Sequence, residues 1–498
     1  MFIKKSISRV FSVLFVIVFT LAVTPLQAVH AANVRYSRPS ASGTGNCSSW
    51  ANACTLQAAL TGAVSSDEIW AAAGTYKPTT LGTDRSATFQ LIDGVALYGG
   101  FAGTETARNQ RNLAANVTIL SGDIDNNDGQ TPIITNLTTV AGNTTNSYHV
   151  VTGATGATLD GFTITAGNAG AAYPNDRGGG IYDPSGNSPT LTNVTFSGNI
   201  AFNYGGGMYN VSSSPTLTNV IFSNNSTPAF GGGMYNDGSN PTLTNVTFSN
   251  NTASERGGGM LNASSSNPTL TNVAFSANSA GSGGGMYNGS SSSPTLTNVT
   301  FSSNPAVSNG GGMYNEFLSS PTLTNITFSA NSATSGGGMY NTVNSKPTLT
   351  NVTINGNSAN FGGGMLNENS NPRIIDTIFW GNTAASAGGQ IYNISSIPVV
   401  IGCVVQSGCP AGSTCTGTVI TADPLLGALG NYGGFTQTIP LLAGSSAIDA
   451  DYSYDCSLGT TTDQRGVHRP QGARCDIGAF EFVYTPPPTH IYLPLVIR

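Results

Sequence analysis

A glycine triplet, Gly-Gly-Gly or in the last copy Gly-Gly-Gln, begins at Gly178, Gly205, Gly231, Gly257, Gly283, Gly310, Gly336, Gly362 and Gly388. The steps between copies are 27, 26, 26, 26, 27, 26, 26 and 26 residues. A fixed period of this size means stacked structural units, each touching only its neighbours, rather than a globule around one centre. Most copies continue Met-Tyr-Asn, a Ser/Asn-rich turn, Pro-Thr-Leu-Thr-Asn and then Val-Thr-Phe-Ser-x-Asn, with single-residue insertions only in the turns. These segments are too short for helices, and the alternation in Val194-Thr195-Phe196 has the period of a strand. Three short strands per copy, broken at Asn, Pro and Ser corners, describe one coil of a parallel β-helix. Successive coils then lie about 4.8 Å apart, so nine copies span roughly 43 Å.

Stacking explains an unusual composition. Charged residues make up 8% of the 498 residues, against roughly 25% in ordinary domains. A charge at a repeat position would sit on its own copies and repel them. Asn, Thr and Phe stack favourably instead, as amide ladders and apolar columns. Leu191, Leu217, Leu243, Leu270, Leu296, Leu323 and Leu349 are expected to face inward. So are Phe196, Phe222, Phe248, Phe275, Phe301, Phe328 and Phe379, with Ile354 in the same slot. Asn193, Asn219, Asn245, Asn272, Asn298, Asn325 and Asn351 are expected to form an internal corner ladder. A second Asn column runs through Asn199, Asn225, Asn251, Asn278, Asn304, Asn331, Asn357 and Asn382.

The ends point to an oxidising, extracellular or cell-surface destination. Lys4, Lys5 and Arg9 precede an apolar run from Val10 to Val23, and Val29-His30-Ala31 supplies small residues for cleavage, so 1–31 reads as a signal peptide. Its removal leaves 14 Lys+Arg against 23 Asp+Glu, a net charge of −9, and no transmembrane span in the mature chain. That charge excludes a basic nucleic-acid binder. Of seven cysteines, Cys47–Cys54 and Cys456–Cys475 are expected to pair, with one further pair among Cys403, Cys409 and Cys415. Leu56, Ala59, Leu60 and Ala63 form the apolar stripe of a short cap helix within 55–64. The organisation expected is therefore 1–31 signal peptide, 32–150 cap and irregular first coils, 151–400 regular coils, 401–482 C-terminal cap or anchor-type module, and 483–498 a Pro-rich spacer with a short apolar tail.

The paired motifs Gly-Gly-Gly-Met and Phe196-Ser-Gly-Asn199 resemble the repeats of chlamydial polymorphic membrane proteins. The stretches LYGGFAGTE (97–105) and LDGFTITAGN (159–168) are similar to those of bacterial secreted right-handed β-helix proteins. DPLLG (423–427), SSAIDA (445–450) and TDQRG…RCDIGAFE (462–481) resemble a choice-of-anchor module. The resemblance implies an all-β, right-handed parallel β-helix with adhesin-like or envelope roles; it specifies no reaction.

Chemistry-bearing residues are few. Asp237, Glu316 and Glu368 share one offset in the repeat, and two coils separate the last two by roughly 10 Å, beyond the ~6.5–9.5 Å of an inverting carboxylate pair. They read as solvated turn residues. Asp123, Asp125 and Asp128 in GDIDNNDG resemble a loop for a structural calcium ion, though the glycine is misplaced for an EF-hand. No other cofactor is implied. His149 reads as a structural ring. Tyr209, Tyr235, Tyr287, Tyr314 and Tyr340, with Tyr182 and Tyr392 at the same offset, would project outward if the preceding Met column faces in, forming an aromatic strip for glycans or surface proteins. The reading is a secreted or surface β-helix with a binding or structural role and no catalytic residues. The alternative is a polysaccharide lyase or glycoside hydrolase with its site in 67–185.

Overall fold

The computed structural model describes residues 33–79, 81–131, 133–135, 140–451, 456 and 461–484. Residues 1–31, read above as a signal peptide, and residues 485–498 of the expected tail lie outside these residues. The chain winds into parallel coils whose strands fall into three faces. A 20-stranded sheet carries the Thr-Leu-Thr-Asn-Val-Thr-Phe-Ser segments, an 11-stranded sheet the Met-Tyr-Asn segments, and a 6-stranded sheet with a 2-stranded extension the short segments between. Register is strict: Leu243 pairs with Leu270, Val246 with Val273 and Phe248 with Phe275.

Seven consecutive coils of the long sheet hold a left-handed asparagine, with φ of 52–57° at Asn193, Asn219, Asn245, Asn272, Asn298, Asn325 and Asn351. This backbone state, which Asn tolerates better than most residues, breaks the two-residue alternation. Leu243, Val246 and Phe248 can then all face the core, each fully buried. The same break turns the asparagines outward. The expected internal ladder is therefore an external one, for that geometric reason. Its amides still join coil to coil, for example Asn245 Nδ2 to Asn219 Oδ1 at 3.1 Å and Asn272 Nδ2 to Asn245 Oδ1 at 3.1 Å.

The second asparagine column is internal. Asn251 Nδ2 donates to Asn278 Oδ1 at 2.9 Å and to the Phe222 carbonyl at 2.8 Å, while Asn251 N donates to the same Asn278 oxygen at 3.0 Å. A third ladder runs through the asparagines of Met-Tyr-Asn, from Asn210 Nδ2 to Asn236 Oδ1 at 2.8 Å onward to Asn393. The phenylalanines stack face to face, with Phe248, Phe275 and Phe301 centroids 4.8 Å apart and rings within 3–4° of parallel. The triplet glycines let coils approach: a Cβ on Gly258 would lie 2.5 Å from the Gly284 carbonyl oxygen, and one on Gly259 2.8 Å from the Phe275 ring.

The cap helix is Leu56–Thr61; Thr55 caps it by accepting from Ala58 N, and Leu56, Ala59 and Leu60 are buried. At the other end, Val399–Ile401 and Thr414–Thr416 still add strands to the long sheet. The chain then runs back along the outside of that sheet. Gln464 bridges Thr300 and Thr327 at 2.7 Å each, Thr462 O accepts from Asn325 at 3.0 Å, and Ala479 N donates to Thr353 Oγ1 at 3.1 Å. The outward threonines of three coils are buried in consequence. Disulfides link Cys47–Cys54, Cys456–Cys475 and Cys409–Cys415. Cys403 is a buried thiol whose pKa burial pushes up to about 12. Among the described residues no helix is long and apolar enough to cross a membrane.

Candidate functional site

The tyrosine column does project from the outer side of the Met strands, but it is not an exposed strip. Tyr209, Tyr287, Tyr314 and Tyr340 are buried and Tyr235 half-buried, packed with Leu261 and Leu366. Alternation sets the direction of a side chain and leaves open what lies above it. Here Arg256 closes over Tyr287, with its guanidinium 5.0 Å from the ring centre, and Tyr204 meets Tyr235 edge to face at 4.8 Å.

The three carboxylates at one repeat offset complete this layer. Tyr209 OH donates to Asp237 at 3.3 Å, Tyr287 OH to Glu316 and Tyr340 OH to Glu368. Each acid thus serves the tyrosine of the preceding coil. They are tyrosine acceptors rather than solvated residues, and burial followed by the adjacent carboxylates holds these phenols above their usual pKa.

The residue immediately before each triplet forms a row that lies further out. Arg177, Tyr204, Phe230 and Arg256 are bridged in parallel on four consecutive coils. The Arg177 guanidinium sits 4.6 Å from the Tyr173 ring centre and 4.8 Å from that of Tyr204, while Asp176 Oδ1 accepts from Arg177 Nε at 2.7 Å. Tyr204 and Phe230 stack at 5.7 Å. Beside them Tyr173 is 71% and Phe202 62% exposed. Both arginines have acidic partners, Asp176 and Glu316, so the face offers rings and polar groups with little net charge. The sequence signal was present in the same repeat: this slot holds Ser282, Asn309, Ser335, Phe361 and Ala387 in later coils, but aromatics and arginines on four consecutive coils here.

A second feature is a cleft of about 970 Å³ beside the cap helix, lined by Gln57, Lys77, Asp123, Asn126, Gln130 and Ile134 among others. Lys77 Nζ lies 3.4 Å from Asp123 Oδ2 and donates to Asn126 Oδ1 at 2.6 Å. Asp123, Asp125 and Asp128 are not gathered as one ligand set; among the described residues the three carboxylates do not fall within 4.8 Å of one another. The loop spends them separately: Asp123 on Lys77, Asp125 on Asn127 at 2.7 Å, and Asp128 on Asn146 at 2.8 Å. Burial pushes the Asp128 carboxyl up to about 6. The grouping of Asp451 with Cys456 and Cys475 offers no metal site, because those sulfurs form a disulfide. His149 is buried, stacked on Tyr182 at 5.1 Å and bonded through Nδ1 to the Gly178 carbonyl at 3.1 Å; burial lowers its pKa.

Residues 124–313 and 260–422 match the family model described as right handed beta helix region. The chain belongs to that family. Among solved structures it is similar to the crystal structure of pectate lyase Pel9A, at 14% identity and a TM-score of 0.41, covering 91% of this chain and 97% of that one. It is also similar to the complex of XylC with xylose, at 11% identity and a TM-score of 0.37, covering 90% of this chain and 98% of the other. Likeness at this level carries no argument about activity. No curated protein matches.

Proposed function

We propose that this is an extracellular or surface-displayed β-helix that binds uncharged glycans without cleaving them. The observation that supports it is the row Arg177–Tyr204–Phe230–Arg256 with exposed Tyr173 and Phe202 beside it. Aromatic faces stack on the apolar faces of sugar rings, and arginine–carboxylate pairs bond to hydroxyls. Paired arginines leave little field for an acidic polymer. Three disulfides suit an oxidising compartment. The test is binding of the folded chain to immobilised neutral polysaccharides, wild type against the double variant Tyr204→Ser with Phe230→Ser. Two lost rings weaken binding about tenfold or more. Equal binding by a folded variant removes this face from the proposal.

The second reading is a polysaccharide lyase or hydrolase, favoured by the Lys77–Asp123 ion pair on the lining of the cleft. Lys77→Ala abolishing polysaccharide cleavage by the wild type, with folding intact, would establish it in place of the first.

A further inference from the structure

We propose that Asp183 is a protonated carboxylic acid in the folded chain, donating its proton to Asn210 Oδ1 as the terminal rung of the Met-Tyr-Asn amide ladder, and that its ionisation loosens the seam between the irregular first coils and the repeats.

The ladder has a direction. Each amide nitrogen donates to the oxygen of the following coil, at 2.8 Å from Asn210 to Asn236, Asn236 to Asn262 and Asn262 to Asn288, and so on to Asn393. Asn393 Nδ2 then donates to the Ala411 carbonyl at 2.8 Å, so the donor end is satisfied. The acceptor end is not: Asn210 Oδ1 is buried and without a partner. Asp183 occupies the preceding rung, in strand register with Asn210, and is fully buried with one carboxyl oxygen also unpartnered. A buried amide oxygen in register with a buried carboxylate is unfavourable; a proton on Asp183 removes the charge and gives Asn210 Oδ1 a donor, while Asp183 Oδ1 lies toward Gly153 of the preceding coil.

Two neighbouring ladders make the contrast. The second column also points toward the C-terminus, and its first oxygen, Asn199 Oδ1, receives the Gly167 N–H at 3.0 Å. The outer ladder points the other way, and Asn193 Nδ2 donates into Asp160 Oδ1 at 2.8 Å. Asp160 is correspondingly ion-paired with Arg111. An aspartate thus ends two ladders of opposite direction: Asp160 is met by an amide donor, whereas Asp183 is met by an amide oxygen.

The surroundings agree. From the preceding coil Asp183 meets the backbone of Gly153, where a Cβ would fall 2.1 Å from Asp183 Oδ1. From the coil that follows it meets Asn210 and the Ser213 hydroxyl, which donates to its other oxygen. Among the described residues, burial and that hydroxyl are the influences acting on it, with no cation or second carboxyl beside them, and burial pushes it up to about 7. A carboxyl raised on folding favours the folded state at low pH, and that contribution is lost as pH rises from about 4 through about 7.

The experiment compares the full wild-type chain with Asp183→Asn, whose amide can donate like any other rung. The infrared spectrum of wild type minus Asp183→Asn should contain a protonated-carboxyl band at about pH 5.5 that disappears by about pH 9. The variant should melt above wild type at about pH 9, and the difference should shrink toward about pH 5. No protonated-carboxyl band at about pH 5.5, or a variant with the same pH slope as wild type, would overturn the assignment. Asp183→Ala, which fills no donor role, should be less stable than Asp183→Asn at both pH values; equality of the two would contradict the ladder bond.

Discussion

Tyr287 gives its hydroxyl hydrogen to Glu316 on the next coil, and Arg256 closes on the same hydroxyl at 2.7 Å. The stack of identical coils thereby tolerates a charge outside its core: the acid is partnered by the coil before it rather than by its own copies above and below. Removing the hydroxyl in Tyr287→Phe should cost about 1–2 kcal/mol, because a half-buried carboxylate loses a donor. Glu316→Gln keeps an acceptor and should cost under about 1 kcal/mol. Chemical denaturation of both variants checks the order, and an indifferent Tyr287→Phe would reduce the contact to incidental packing.

The two kinds of asparagine should respond differently. Asn278 accepts from both Asn251 N and Asn251 Nδ2 and donates to Phe248 O and Asn304 Oδ1, all at 2.9–3.0 Å in the core. Asn278→Ala strands several buried groups and should cost at least about 3 kcal/mol. Asn272 has φ 56° and is part-exposed, so Asn272→Gly keeps the backbone state and should cost about 1 kcal/mol or less. Asn272→Val, with a branched side chain in the left-handed region, should cost more than the glycine variant. Thermal unfolding of the three variants gives the comparison.

The returning C-terminal segment should be sensitive to alkali. Burial, then the nearby Asp451 carboxyl, pushes Asp376 up to about 8; burial, then Glu481, pushes Asp476 up to about 7. Folded-state values above the unfolded value of about 4 stabilise the docked segment at low pH, and that contribution falls as pH rises toward about 8. Hydrogen exchange of the amides that dock on Asp376 and Thr353, corrected for intrinsic rates, should show protection falling over this range. Asp376→Asn should flatten the change.

Much of this fold was legible because the repeat states it nine times: the inward Leu and Phe columns and the second Asn ladder follow from period and composition, and two disulfides from the nearness of their cysteines in sequence. The outward turn of Asn193 to Asn351 was not, since it depends on a left-handed backbone angle that reverses alternation. Nor was the burial of Tyr287, which depends on Arg256, a residue that belongs to a different column of the preceding coil. The acidic spacing of the Asp123–Asp128 loop is visible in sequence, whereas the contacts of Lys77 and Asn146 with Asp123 and Asp128 arise only on folding. The row around Tyr204 and Phe230 was visible as a departure from the repeat, yet its exposure required the coils to be stacked.

The most direct measurement of the binding proposal follows one purified sample in two ways: retention on a panel of neutral and acidic polysaccharides, and release of soluble fragments over time, with and without added calcium. Retention on a neutral glycan, reduced about tenfold by Tyr204→Ser with Phe230→Ser and accompanied by no fragment release, is the expected result. Fragment release that survives this double variant and is lost in Lys77→Ala would contradict it and move the function to the cleft.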